Sequence, residues 1–362
     1  SQDLGLADLT NSIFNSLGVP NTSDFLGLGI GAQRECLILI DGMGQDALDR
    51  FADQFTIFSQ LKNQANLIAN FPSTTATSLS TLGTGELPGV HGMLGYTVRV
   101  PRSDNRLLNA LKWDERVDPL IWQSVPTLFE RASAEGISTS QISAKRYEGT
   151  GFTRAALRGA NYVGANLISE ISDEAAKVLR KEKSFAYVYI NHLDVAGHED
   201  GVGSEKWLLA LATVAKLLTE LKEKLPPGTR VWVTADHGMV NADEIIIFGK
   251  DNDLDKDVTL YGGEPRARHL YVRDGAARDV ISRYRNYLGT KAEVLSKDEA
   301  ISNNLFGNQM SVDSEERIGD IIVIANGGLI LVDPERVKEE AGMVGHHGGL
   351  SEVERLIPLL AY

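Results

Sequence analysis

A repeated alternation constrains this chain more than any other feature. Short apolar runs, each followed by a polar knot, are separated by longer stretches with helical periodicity. The runs are CLILI (36–40), ANLIAN (65–70), ISTSQIS (137–143), FAYVYI (185–190), VWVTA (231–235), HLYVR (269–273) and IIVIA (321–325). Helix candidates between them include VPTLFERASAEG (125–136), SDEAAKVLRKEK (172–183) and SEKWLLALATVAKLLTELKEKL (204–225). In the last, Leu208, Leu211, Val214, Leu217 and Leu218 recur at three- and four-residue steps, which marks one apolar helix face. Strands apolar throughout need cover on both sides, and amphipathic helices supply it. The expectation is an α/β fold with a mostly parallel central sheet and helices on both faces. From about 241 to 335 the alternation is interrupted by KDNDLDKDV and SKDEAISNN, so a cap or insertion is expected there within one catalytic domain spanning 1–362.

Composition narrows the partners. A formal net charge of -13 argues against a protein that grips nucleic-acid polymers, which needs a basic face, but not against small phosphoesters held through a bound cation. The single Cys36 excludes an internal disulfide framework and a thiolate metal cluster. No run approaches the roughly 20 apolar residues of a membrane span. The opening SQDLGLADLTNSIFNSLGVP has neither the basic nor the apolar segment of a signal peptide, so a soluble, cytoplasmic protein without membrane partners is expected.

Chemistry collects where the apolar runs end. CLILI is followed by Asp41, FAYVYI by NHLDVAGHEDG with Asp194 and His198, and VWVTA by Asp236 and His237. Ligands in an open parallel sheet bind outside the carboxyl ends of the strands, so the three aspartates should share one edge. A further knot, GHHGG, carries His346 and His347. Carboxylate oxygen and neutral imidazole suit Zn²⁺, Mn²⁺ or Fe²⁺. Asp194 and His198, with a glycine between them that lets the chain turn, can reach one ion. Taken singly, each residue has a plainer reading: a strand-terminal Asp is often a helix cap, and a loop His is often solvated. His192 and His269 are read that way, and His91 as a turn residue or a neighbour of the site. The convergence of the knots favours a metal centre. A G-x-G-x-x-A pattern at Gly42, Gly44 and Ala47 suggests a dinucleotide fingerprint, but the next strand ends in Asn70–Phe71 without the required acidic residue.

NFPSTTATSLSTLGTG (70–85) is rich in hydroxyls. Pro72 breaks the chain, Ala76, Leu79 and Leu82 mark one buried helix face, and Gly83 and Gly85 end the helix. Thr74 and Thr75 then lie at the helix N-terminus, where backbone N–H groups favour anions. A nearby cation would activate an alcohol too weakly acidic to attack unaided. Thr77, Ser78, Ser80 and Thr81 are read as surface or packing residues. On physical grounds Thr74 and Thr75 remain tied.

Together Asp41, FPSTT…TG…HG, D-x-x-G-H (194–198), ADHGM (235–239) and HHGG (346–349) resemble the type I phosphodiesterase/nucleotide pyrophosphatase family of the alkaline phosphatase superfamily. The resemblance implies an alkaline phosphatase-like fold, two Zn²⁺ ions and a threonine nucleophile. It implies that Asp194, His198 and His347, rather than His346, hold one ion, and that Asp41, Asp236, His237 and the nucleophile hold the other. The family's spacing, counted back from Thr84 of the T-G pair and from His91 of the H-G pair, selects Thr75. It further implies a two-step reaction through a phosphothreonine. Two positions depart from nucleotide-cleaving members: Ala76 replaces an aromatic residue that stacks on the base, and Tyr96 replaces an asparagine that contacts phosphate. Lys145 and Arg146 are candidates for a substrate phosphate, with a solvated charge pair as the simpler alternative. Cys36, in ECLIL, lacks the context a sulfatase requires, and the related mutases use serine. Phosphonate hydrolases and phosphomonoesterases stay as rivals within the class, and a zinc-binding protein without catalysis stays as the rival outside it.

Overall fold

The computed structural model describes residues 3–362. Its centre is a seven-stranded sheet built from Arg34–Ile40 (β1), Lys62–Ile68 (β2), Ser138–Ser143 (β3), Asn161–Gly164 (β4), Ser184–Ile190 (β5), Arg230–Thr234 (β6) and the later strand Leu356–Ala361. β1 lies between β6 and β5 and is parallel to both; β3 and β4 continue the parallel set beyond β5. The 356–361 strand sits between β6 and β2 and runs antiparallel to each. The apolar-run pattern did not flag it, because Pro358 lies in its middle. The strand tolerates this proline because its ladder with β6 begins only at Leu359, while the Pro358 carbonyl accepts the Thr234 hydroxyl at 2.6 Å.

Helices Leu6–Ser16 (α1), Thr75–Thr84 (α2) and Gly151–Ala156 (α3) form one cover of the sheet, and Ile168–Val178 (α4), His192–Asp200 (α5) and Glu205–Lys224 (α6) the other. α6 follows the periodicity of its sequence. Ser204 caps its start by accepting the Trp207 N–H, and Trp207, Leu211, Val214, Leu218 and Leu221 form its buried stripe. Each such side chain contributes roughly 1.5–3 kcal/mol of burial.

Two of the apolar runs belong elsewhere. HLYVR and IIVIA lie in Ala267–Val272 and Ile321–Ala325, within an antiparallel four-stranded sheet completed by Val258–Glu264 and Ala292–Ser296. This second sheet has its own apolar cluster, which includes Phe248, Leu270, Tyr284 and Val323. Buried ion pairs tie it to the rest. Arg266 bonds both oxygens of Glu354 at 2.9 Å, and Arg268 pairs with Glu340.

Candidate metal centre

β1, β5 and β6 are neighbours and parallel, so their carboxyl ends deliver Asp41, Asp194 and Asp236 to one place. His237 Nε2 lies 3.2 Å from Asp41, 3.4 Å from Asp236 and 3.9 Å from Asp194. Gly42 makes the first approach possible: its φ is +80°, and its N–H donates to Asp236 Oδ1 at 3.0 Å. The segment carrying Asp194 and His198 is not a turn. Both sit on one face of α5, a single helical turn apart, with Asp194 Oδ1 3.3 Å from His198 Nε2. Gly197 is there for close packing, since a Cβ would stand 2.4 Å from Met239 Sδ.

Three imidazoles are held in the same way. Nδ1 donates to a backbone carbonyl in each: His198 to Gly345 (2.7 Å), His237 to Gly238 (2.7 Å) and His347 to Ser73 (2.8 Å). Every Nε2 is thus turned inward, where it can take either a proton or a metal ion, the arrangement of a metal-ligating histidine. His198 Nε2 and His347 Nε2 face each other at 3.3 Å, and Asp194 Oδ1 and Asp236 Oδ2 are buried without a donor. Acceptors that face each other need a proton or a metal ion between them. Donors about 2.0–2.1 Å from a tetrahedral ion stand about 3.3–3.4 Å apart, close to the spacings found here. Two groupings bring three ligand atoms close enough together to share one ion, Asp41/Asp236/His237 and Asp194/His237/His347.

The electrostatics agree with a shortage of positive charge. Burial raises Asp41, and Asp194 and Asp236 beside it add to the effect. Burial opposes a charge on His237 and His198, yet the adjacent aspartates outweigh it and hold them up at about 10 and about 9. Burial would likewise raise Asp194, but His198, His347 and His237 keep it low.

Thr75 opens α2 and brings its Oγ1 to 3.1 Å from His237 Nε2 and 3.3–3.4 Å from the two Asp41 oxygens. Thr74 is the residue before the helix. The expectation of one buried face on α2 is corrected, because every residue of the helix is buried. Gly83 lies within it, where a Cβ would meet Ala156 O at 2.0 Å, and Gly85 alone ends it in the left-handed region. His91 is structural and lies behind the helix, accepting from Met93 N–H and donating to Thr81. Lys145 and Arg146 are exposed, and Arg146 stacks on Tyr147; neither lines the two cavities that border Thr75. Tyr96 lines both, and its N–H donates to buried Glu264.

Sequence reading passed over Tyr189, whose hydroxyl donates to Asp41 Oδ2 at 2.5 Å, and Glu264, which the second sheet carries to the rim of the centre. Period-two alternation in FAYVYI, placing Tyr187 and Tyr189 on one face, was the available signal for the first. For Glu264 there was none.

A parallel sheet whose adjacent strand ends gather aspartates and inward-facing imidazoles beside a helix N-terminus is the setting of a metal-dependent enzyme, and the family match makes it a hydrolase of phosphoester bonds. The chain belongs to the type I phosphodiesterase/nucleotide pyrophosphatase family, whose model matches residues 36–350. In structure it is similar to murine ectonucleotide pyrophosphatase/phosphodiesterase 5, with a TM-score of 0.72 and 18% identity over 91% of this chain and 88% of that one. It is also similar to phosphonoacetate hydrolase from Sinorhizobium meliloti 1021 solved with phosphonoacetate, with a TM-score of 0.66 and 18% identity over 91% of this chain and 89% of that one. No protein of curated function matches the sequence. Among the described residues no helix is long and apolar enough to cross a membrane.

Proposed function

We propose that this protein is a two-metal phosphodiesterase that works through a covalent phosphothreonine at Thr75, with zinc as the metal. The observation that carries the reading is the position of the Thr75 hydroxyl, within 3.4 Å of both Asp41 and His237, at the N-terminus of a ten-residue helix. Asp194, His198 and His347 would hold one ion, and Asp41, Asp236 and His237, with Thr75, the other. When bound, the ions lower the pKa of the threonine hydroxyl and of water and neutralise the phosphoryl oxygens. Thr75 Oγ1 forms a bond to phosphorus as the bond to the departing alcohol oxygen breaks, and the α2 N-terminus favours the negative phosphoryl group. Water then attacks the phosphothreonine and frees Thr75, so each cycle consumes one water and releases one phosphomonoester and one alcohol, the proton given up by the Thr75 hydroxyl balancing the one the departing oxygen takes. A threonine-to-alanine form of the murine relative is described as inactive and was solved with AMP, which is consistent with this role.

Hydrolysis of a phosphonate is the second reading, favoured by the likeness to phosphonoacetate hydrolase. Turnover of bis(p-nitrophenyl) phosphate, p-nitrophenyl phosphate and phosphonoacetate by the zinc-loaded protein separates the two. The diester is expected to be the best substrate, and negligible diester turnover beside either other compound removes the phosphodiesterase reading. Thr74→Ala is expected to keep activity. If it abolishes turnover instead, the nucleophile is one residue earlier.

A further inference from the structure

On a chain with a net charge of -13, one groove gathers arginines. It has a volume of 340 Å³ and runs between residues 100–106, the short helix Pro119–Trp122 and the helix Val312–Arg317. Arg102, Arg106, Arg116 and Arg317 line it, against the carboxylates of Asp118, Asp313 and Glu316. None of these residues lines the cavities that border Thr75.

Part of this charge is spent locally. Arg102 bonds Glu316 at 2.6 Å, Arg116 grips Asp114 through Nε and Nη2 at 2.9 and 2.8 Å, and Asp118 caps its own helix by accepting the Leu120 N–H. Arg317 and Arg106 are left over. Arg317 is 5% exposed, and among the described residues no carboxylate pairs with it; Asp313 and Glu316 act on it only from a distance. Its guanidinium lies over the Trp122 ring, 3.7 Å from the centroid, and Nη1 donates to the Gly92 carbonyl at 3.0 Å. Its other N–H groups have no protein acceptor. Burial lowers its pKa to about 10, as expected of a cation short of counter-charge. Arg106 stands 3.5 Å from Asp114, which Arg116 already occupies, and its buried Nε has no hydrogen bond. Trp122 Nε1 is a third buried donor without a partner.

Buried charges in native folds are paired and buried donors satisfied. Here donors from three separate segments meet at one groove, while Asp114, Asp118 and Glu316 are bonded elsewhere. The group that fits is an acceptor bearing negative charge. A guanidinium presents its N–H donors as a fork that matches oxyanions, and two of them balance two negative charges. We propose that the groove is a binding site for a small, doubly charged oxyanion of the size of phosphate or sulfate, held by Arg317 and Arg106 and distinct from the metal centre. It lies behind the helix that carries Thr75: Arg317 holds the Gly92 carbonyl, and the preceding His91 bonds Thr81 of α2 at 2.9 Å.

Sulfate is the probe, because it is neither substrate nor product of phosphoester hydrolysis. Zinc-loaded protein is titrated calorimetrically with sodium sulfate, at an ionic strength held constant with sodium chloride. A saturable site is expected whose Kd rises at least about tenfold in Arg317→Gln and in Arg106→Gln, the worth of one hydrogen bond to a charged group. A sulfate taken by the zinc centre would keep the same Kd in both variants and is told apart in this way. Arg50→Gln removes one positive charge from an exposed, distant position and should leave Kd within about twofold. Methyl sulfate, of similar shape but with one charge, should bind at least about tenfold more weakly. Absence of saturable binding, a Kd that neither groove variant changes, an equal loss in Arg50→Gln, or equal affinity for methyl sulfate overturns the proposal. If Arg317→Gln does not fold, Arg106→Gln decides alone. The titration needs no turnover, so its outcome is independent of the hydrolase reading.

Discussion

Two hydroxyl-rich segments are buried in this protein, helix α2 and strand β3, and they handle their hydroxyls differently. In α2, Ser80, Thr81 and Thr84 donate to carbonyls four residues back, Thr77 donates to Met93 O, and Ser78 donates to Asp236 O. Each is satisfied by backbone and behaves as packing. Thr75 is the exception in that helix, pointed at a carboxylate and an imidazole. In β3, Thr139 and Ser143 also reach backbone carbonyls, but Gln141 faces a cavity next to an unpaired tyrosine. A buried hydroxyl therefore says little by itself. What distinguishes a working group is that the fold supplies it no ordinary partner.

The contrast within α2 can be broken most directly at Thr75. Thr75→Ala is expected to lower kcat at least about 10³-fold while circular dichroism and zinc content stay close to wild type. An active Thr75→Ala protein would return that hydroxyl to the packing group. Metal removal comes next. Dialysis against a chelator should stop turnover and remove about 2.7 kcal/mol of stability for each ion lost relative to zinc at 100 Kd, read by thermal unfolding, with both restored by zinc.

A smaller effect comes from the histidine that supports the helix from behind. Burial and the Arg317 guanidinium hold His91 down at about 3, and its two ring nitrogens have fixed partners as the neutral form. The unfolded imidazole takes up a proton near pH 6.5 and the folded one does not, so stability falls as pH drops through this window, by about 1.4 kcal/mol per pH unit from this residue. Urea unfolding of His91→Gln at pH 7, 6 and 5 should show a shallower acid slope by that amount, and an unchanged slope would mean His91 is not held neutral. The smallest effect is expected from Ser80→Ala, within about 1 kcal/mol in stability and twofold in kcat/KM. A large loss there would show that the satisfied hydroxyls also serve the chemistry.

The metal centre was more legible in the sequence than the surroundings that shape its substrate. Asp41, Asp194, His198, Asp236, His237 and the His346–His347 pair could be picked out because strand ends, glycines and imidazoles cluster at short range, and the family resemblance chose His347 of the pair. α5 was not visible, since Asp194 and His198 in a glycine-flanked stretch read as a loop, and its helicity is supported by packing on α6 and Met239. The second sheet was hidden because HLYVR and IIVIA have the same local pattern as the central strands; only pairing, which is non-local, separates them. β3 was found as a strand, but its polarity, the sign of a cavity floor, was read past as one more apolar run. The burial of α2 on all sides was obscured because back-bonded hydroxyls let serine and threonine pack like small apolar residues.

The antiparallel strand at 356–361 has a consequence for how the protein is made. It wedges between β2 and β6, so during synthesis those two strands exist for a long interval with a gap between them and unpaired edges facing it. His347 arrives only shortly before the strand that fills the gap. Sheet closure and completion of the ligand set therefore both wait for segments made after the rest of the central sheet, and until they arrive β2 and β6 each present an open edge of the kind that pairs with a neighbour.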